Sequence, residues 1–262
     1  MKQIFKGSVA IVTGASRGLG RATGASLAAA GAAVVLVARS ADALFRLAEE
    51  LHATGGRVRP LAGDIGDPDF VRQIVSNAVA EFGRIDFVVN IAGAVDGIGK
   101  AAWDAADDEV FALLRTNLLG PLLLAREVLP AMLRQGAGRI LTLTSPAAQT
   151  VIPGAAIYGS SKAGLNQFVR TLASELYGTG VTANAFNPGP VSTPTLERVT
   201  AALQPVTRTR WRGAARSPEE AAGMILWLLS PATAQLTGQI VHWRDPAIRS
   251  QVAAFTAALA RE

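Results

Sequence analysis

The sequence predicts a single α/β domain, a doubly wound parallel sheet with helices on both faces, on three observations. Short apolar runs alternate with helical patterns from end to end, and such alternation needs parallel strands joined by crossover helices. A glycine-rich turn separates the first strand from the first helix. No linker, composition shift or internal repeat divides the 262 residues, a length that one α/β domain commonly fills.

The elements come in order. Residues 8–13 (SVAIVT) read as a buried strand, 17–30 as a helix stopped by Gly31, and 33–37 (AVVLV) as a second strand. Residues 41–54 form a helix ended by Gly55 and Gly56, 58–61 a short strand, 67–82 a helix and 85–90 a strand. One helix is predicted over 107–133, a strand over 139–144 and a helix over 158–177. In the last of these Leu165, Phe168, Val169, Leu172 and Leu176 make one apolar stripe. A strand over 181–186 leads into Asn187-Pro188-Gly189-Pro190.

Two stretches break the rhythm. Residues 193–216 have weak periodicity and carry Arg198, Arg208, Arg210, Arg212 and Arg216 against Glu197 alone. They read as a long loop with some helix, a substrate lid. A helix then restarts at Ser217-Pro218-Glu219-Glu220, with serine at the N-cap, proline at N1 and glutamate at N3. The tail, 246–262, places Val252, Phe255, Ala258 and Leu259 at roughly helical spacing.

Composition removes several function classes. There is no cysteine, hence no disulfide, thiolate ligand or cysteine nucleophile. The two histidines, His52 and His242, lie far apart, and no ligand-spaced carboxylate cluster accompanies them, so metal chemistry is not expected. Of the net +5 charge, Lys2, Lys6, Arg17, Arg21 and Arg39 precede the first acid, Asp42. Without a Lys/Arg run or interleaved aromatics they suit a localised phosphate-bearing ligand better than nucleic acid. The uncharged stretch 22–38 is shorter than the roughly 20 apolar residues of a membrane span. No apolar signal segment follows Lys2 and Lys6. A cytoplasmic protein without membrane or nucleic-acid partners is expected.

Thr13-Gly14-Ala15-Ser16-Arg17-Gly18-Leu19-Gly20 lies directly between a strand and a helix. In that setting glycines let the backbone approach a pyrophosphate resting on the helix N-terminus, as in Rossmann-type dinucleotide binders. About 20 residues on, an acid would bind a ribose 2′-hydroxyl, whereas an arginine suits a 2′-phosphate. The second strand ends in Val37-Ala38-Arg39-Ser40, with no acid. Arg39, aided by Arg17, therefore favours NADP(H) over NAD(H).

These residues resemble the short-chain dehydrogenase/reductase family. The loop is similar to the family's T-G-x-x-x-G-x-G, and Asn90-Ile91-Ala92-Gly93 to its N-x-A-G. Asn117 resembles its helix asparagine, Ser145, Tyr158 and Lys162 its S…Y-x-x-x-K, and Asn187-Pro188-Gly189 its N/P-G segment. The match runs in order from about residue 7 to 241. It implies that Tyr158 is the general acid/base, that Lys162 lowers the Tyr158 pKa and holds the nicotinamide ribose, that Ser145 orients the carbonyl, and that Asn117 supports a water-linked proton relay. It also implies cofactor contacts at Gly14, Ser16, Arg17, Gly18, Leu19, Gly20, Arg39 and Ser40. Further contacts are implied at Asp64, Ile65, Asn90, Ala92, Gly93, Tyr158, Lys162, Pro188, Gly189, Val191 and Thr193. Asp64 would lie near the adenine and Thr193 on the carboxamide, while Asn90 would mainly fix backbone between strands.

The residue types fit that chemistry independently. A carbonyl receiving hydride develops oxyanion charge and needs a positioned proton donor. A tyrosine, with an ordinary pKa near 10, needs a nearby cation to make its phenolate accessible. Lys162 follows Tyr158 by four residues, on the same helix face. The expected activity is hydride transfer between NADP(H) and a carbonyl/secondary-alcohol pair, as a ketone or 3-oxoacyl reductase. An NAD-linked alcohol dehydrogenase and a catalytically silent NADP-sensing protein are the alternatives.

The sequence departs from the resemblance after Thr237-Gly238-Gln239-Ile240-Val241, where many relatives read V-D-G-G. Here His242-Trp243-Arg244-Asp245-Pro246 follows. That puts the family's usual homotetramer in doubt and leaves a homodimer through 107–133 and 158–177, with Trp243 as packing. The arginine-rich lid suggests an acidic or acyl-thioester substrate.

Overall fold

The computed structural model describes residues 3–202, 209 and 211–260. Seven strands form one sheet in the order β3-β2-β1-β4-β5-β6-β7. They are β1 (Val9–Thr13), β2 (Ala33–Ala38), β3 (Val58–Ala62), β4 (Phe87–Asn90), β5 (Gly138–Leu143), β6 (Val181–Asn187) and β7 (Ile240–His242), and every pair is parallel. All of β1 and β2 is buried, because a parallel sheet is covered by helices on both faces. One core, on one face, includes Val12, Leu36, Phe186 and Trp227; the other, opposite, includes Ile11, Val35, Leu124 and Ile140. Successive residues of each strand thus point to opposite cores.

The helices are α1 (Gly18–Ala29), α2 (Ala41–Ala53), α3 (Pro68–Phe82), α4 (Asp107–Leu114), α5 (Gly120–Gln135), α6 (Ala156–Glu175), α7 (Pro194–Ala201), α8 (Pro218–Leu229) and α9 (Pro246–Ala260). Among the described residues no helix is long and apolar enough to cross a membrane.

Three sequence readings are refined. The helix expected over 107–133 is α4 and α5 joined by a π-turn, Arg115–Leu119, in which the Gly120 N–H bonds the Arg115 carbonyl. The α-register donor for the Asn117 carbonyl would be residue 121, a proline without an N–H, so the regular ladder cannot run through this point. The stretch 193–216 opens with α7, capped by the Thr193 hydroxyl on the Leu196 N–H (3.2 Å). Arg208 and Arg210 lie outside the described residues. The tail is α9, whose Val252 and Leu259 are buried in the core that also holds α8. The Ser217 cap is as expected, its hydroxyl accepting the Glu220 N–H at 3.0 Å.

The strand order reverses between β1 and β4, and the crevice at such a switch point is where doubly wound sheets bind ligands. Buried Thr13 closes its floor, its hydroxyl oxygen accepting the N–H groups of Ile91 and Ala92, both at 3.1 Å. Replacing Thr13 by the isosteric valine strands two amides. It is expected to cost about 2 kcal/mol in urea denaturation, with Thr13→Ser retaining most of the stability.

Candidate active site

The glycine loop leaves β1 and enters α1 at the switch point. Gly14 has φ +73, and a Cβ there would stand 2.9 Å from the Ala92 nitrogen. A Cβ on Gly20 would overlap the Gly14 carbonyl. Only glycine lets the turn close this tightly, which brings the first turn of α1, free of acidic residues, to the cleft. Arg17 in the loop and Arg39 after β2 are exposed on the same cleft, and among the described residues neither has an ion-pair partner. A bare backbone cradle with two free guanidinium groups fits a phosphate-bearing dinucleotide.

The cleft is continuous, about 470 Å³. Gly14, Ser16, Arg17, Gly18, Leu19, Gly20, Arg39, Ser40, Asp64 and Ile65 line one half. Ala92, Gly93, Ser145, Tyr158, Lys162, Pro188, Gly189, Val191 and Thr193 line the rest, so the structure gathers nearly all the residues singled out in the sequence.

Asn90 and Asn117 are the exceptions. Asn90 is buried, its amide donating to the Thr142 hydroxyl at 3.3 Å across β4 and β5, so it braces strands and does not face the cleft. Asn117 is fully buried: its Oδ1 accepts the Ala94 N–H at 2.7 Å and its Nδ2 donates to the Ala94 carbonyl at 2.8 Å. The side chain therefore fixes the loop after β4, leaving its main chain for any relay.

Ser145 follows β5 by two residues, capping a short turn, and Tyr158 and Lys162 stand on α6. The Ser145 oxygen accepts the Ala147 N–H at 3.3 Å, and the proximity of the Ser145 hydroxyl favours the Tyr158 phenolate. Burial works against it and wins, so the Tyr158 pKa is raised. Lys162 is 3% exposed, donates to the Leu143 carbonyl at 3.0 Å and has its Nζ 5.9 Å from the Tyr158 ring centre. Burial drives its pKa down to about 8. The expectation that Lys162 lowers the Tyr158 pKa is thus not met without a bound ligand: desolvation governs both groups.

Sequence reasoning missed the apolar wall beyond Tyr158, made by Ile98, Ile152, Leu196, Val199 and Trp211, together with Arg244. Ile98 and Ile152 sit in loops, and Leu196 and Val199 on the short helix α7, in a stretch whose sequence shows only weak periodicity. The described parts of 193–216 are anchored at both ends. At the mouth Arg198 pairs with Asp96 at 2.5 Å, and within the lid Arg212 pairs with Glu197 at 2.5 Å. At the base Val191 and Arg216 form a β-bridge, and the Arg216 guanidinium donates to the Pro188 carbonyl and lies 4.2 Å over the Trp243 ring. Partial burial pushes the Arg216 pKa down to about 10. Trp243 is packing, as expected, and it also seats this arginine.

The comparisons agree with the geometry. The short chain dehydrogenase family matches residues 8–204. A short chain dehydrogenase of Pseudocercospora fijiensis is 40% identical over 71% of this chain, though the match spans only 60% of that protein. A 3-oxoacyl-[acyl-carrier-protein] reductase of Synechocystis is 38% identical over 88% of this chain and 93% of its own length. A crystal structure of a variant actinorhodin polyketide ketoreductase with NADPH superposes with a TM-score of 0.80 at 30% identity, covering 93% of this chain and 97% of the other. A 7α-hydroxysteroid dehydrogenase with NADH and an oxo bile acid has a TM-score of 0.83 at 28% identity, covering 92% and 94%. Fold and cleft define a nicotinamide-dependent oxidoreductase acting on small molecules. The chain belongs to the short-chain dehydrogenase/reductase family, with 3-oxoacyl and polyketide ketoreductases among its relatives.

The buried Lys162 gives a pH signature. Below pH 8 the folded protein must hold an ammonium out of water. Between about 8 and the ordinary 10.5 the folded side chain is neutral while the unfolded one keeps its proton, so stability rises with pH. Relative to Lys162→Met, the wild type is expected to gain roughly 2 kcal/mol across that window in chemical denaturation. A pH-independent difference would contradict the assignment.

Proposed function

We propose that the protein is an NADP(H)-dependent reductase of a carbonyl/secondary-alcohol pair, with Tyr158 as general acid and base. The observation that carries this reading is the convergence of Ser145, Tyr158 and buried Lys162 on the same cleft as the glycine loop. The nicotinamide, when bound, supplies or takes the hydride. Tyr158, kept protonated near neutrality by burial, donates its phenolic proton to the carbonyl oxygen during reduction. The Ser145 hydroxyl donates a hydrogen bond to the same oxygen and stabilises its developing charge. Lys162, held by the Leu143 carbonyl, would hold the nicotinamide ribose, and it stabilises a Tyr158 phenolate whenever it carries its proton. A relay through Asn117 uses the main-chain carbonyl, since Ala94 occupies the side chain.

The cofactor preference rests on Arg39 and Arg17, because relatives differ: one solved neighbour holds NADPH and another NADH. The α1 N-terminus would hold the pyrophosphate, Arg39 the 2′-phosphate, Asp64 and Ile65 the adenine, and Pro188, Gly189, Val191 and Thr193 the nicotinamide. A homodimer through α4, α5 and α6 belongs to the same reading, and Phe111 (65% exposed) and Leu119 (41%) are apolar side chains it would cover.

Arg39→Ala is expected to lower kcat/KM for NADPH at least tenfold and to leave NADH within about twofold, in steady-state assays with either cofactor. A wild-type preference for NADH would sink the NADP(H) assignment. Tyr158→Phe is expected to cut kcat at least about a hundredfold on ketones and β-oxoacyl thioesters while NADPH binding, followed by fluorescence, persists. Undiminished turnover would remove Tyr158 from the chemistry.

A further inference from the structure

The substrate end of the cleft holds a cation that the chemistry above does not use. Five charged residues line the cleft among those described: Arg17, Arg39, Asp64, Lys162 and Arg244. The first three follow β1, β2 and β3, and Lys162 is bound to the Leu143 carbonyl. Arg244 follows β7, at the opposite edge of the sheet. Five strand spacings separate β2 from β7, roughly 24 Å, so Arg244 cannot share a 2′-phosphate with Arg39. It stands instead only two strands, roughly 10 Å, from β5 and Ser145.

Arg244 is exposed, and among the described residues it has no ion pair or side-chain hydrogen bond. The turn presenting it is fixed on both sides. Trp243 is buried, carries the stacked Arg216 and donates its N–H to the Asn187 carbonyl at 3.0 Å. Asp245 donates its N–H to the His242 carbonyl at 3.1 Å and accepts the Ala247 N–H on its carboxylate at 2.9 Å. The neighbouring acid is thus turned to capping α9. The described lid arginines, by contrast, are already engaged: Arg198 by Asp96, Arg212 by Glu197, Arg216 by the Pro188 carbonyl and Trp243. The same cleft carries an apolar wall, with Ile152, Leu196, Val199 and Trp211.

We propose that Arg244 is a specificity-determining residue that binds an anionic oxygen group of the substrate, a carboxylate or a phosphate ester, while the apolar wall holds the carbon chain and Tyr158 meets the carbonyl. The inference rests on the carbonyl-reductase reading above and adds the class of substrate, an amphiphilic ketone with its charge remote from the reacting carbon. A guanidinium paired with an anion in this position makes charge-assisted hydrogen bonds that a neutral ester cannot replace.

Two matched pairs of substrates test it with saturating NADPH. One is an oxo-octanoate with its ketone at the far end from the carboxylate, against its methyl ester. The other is a β-oxoacyl phosphopantetheine thioester against the phosphate-free pantetheine thioester. In at least one pair the wild type is expected to favour the anion. Arg244→Ala should raise KM for that anion about tenfold, leave kcat and the neutral partner within about twofold, and leave Tm unchanged because the side chain is exposed and unpaired. Arg244→Lys should recover part of the loss, and added salt should weaken only the anionic member. The pair that responds identifies the anion. Unchanged preferences in both pairs, with turnover intact, overturn the role of Arg244 and leave the carbonyl-reductase reading standing. If the wild type turns over none of the four, that reading falls. Calorimetric titration of the NADPH complex with octanoate and with phosphopantetheine then decides on Arg244: weaker binding of either to Arg244→Ala supports it, and equal affinity for both overturns it.

Discussion

The hydroxyl of Thr13 joins the two halves of this molecule. Sitting at the end of β1, it accepts two amides from the segment after β4, so the loops that flank the switch point are held against each other by one side chain. Gly14 can then lie with its Cα against Ala92, and the glycine turn closes over α1. Everything placed on the cleft afterwards is positioned relative to that floor: Asn117 clamps Ala94 a few residues on, and β5 carries Ser145 alongside β4. The arrangement is local and hydrogen-bonded at its centre, and apolar above and below.

The reacting end works under a different constraint. Lys162 is buried and Tyr158 partly so, and each resists its charged form. Spacing alone suggested a cation next to a phenol; burial adds that the cation is itself expensive to keep. The same desolvation makes a phenolate at Tyr158 costly, so under the proposed chemistry proton release there depends on a compensating partner charge such as the Lys162 ammonium.

Periodicity and turn chemistry made much of the fold legible in the sequence. The alternation of strand and helix, the glycine loop, the Ser217 cap and the Tyr158–Lys162 spacing are short-range patterns, and the structure carries them with shifts of a residue or two. The π-turn at Arg115–Leu119 was hidden because apolar periodicity continues through it, although Pro121 marked the place where the ladder must slip. Asn90 braces strands, in line with the reading that it mainly fixes backbone, whereas Asn117 looked like a cleft residue but turns inward, because its amide answers a backbone partner that only tertiary contact supplies. The wall around Trp211 and the position of Arg244 depend on which loops meet over the sheet edge, and no local pattern encodes that.

The stacking of Arg216 on Trp243 has a consequence for how this lid could be exchanged with that of a relative. The arginine closes the base of the segment through Pro188 and Val191, while its aromatic seat comes from the turn after β7, on the far side of α8. A chimera that imports the lid without that turn leaves the indole bare, and one that imports the turn alone leaves a half-buried guanidinium with no ring beneath it. The two segments form one transferable module, discontinuous in sequence, and grafts that respect the fold but not the module would lose the shape of this end of the cleft.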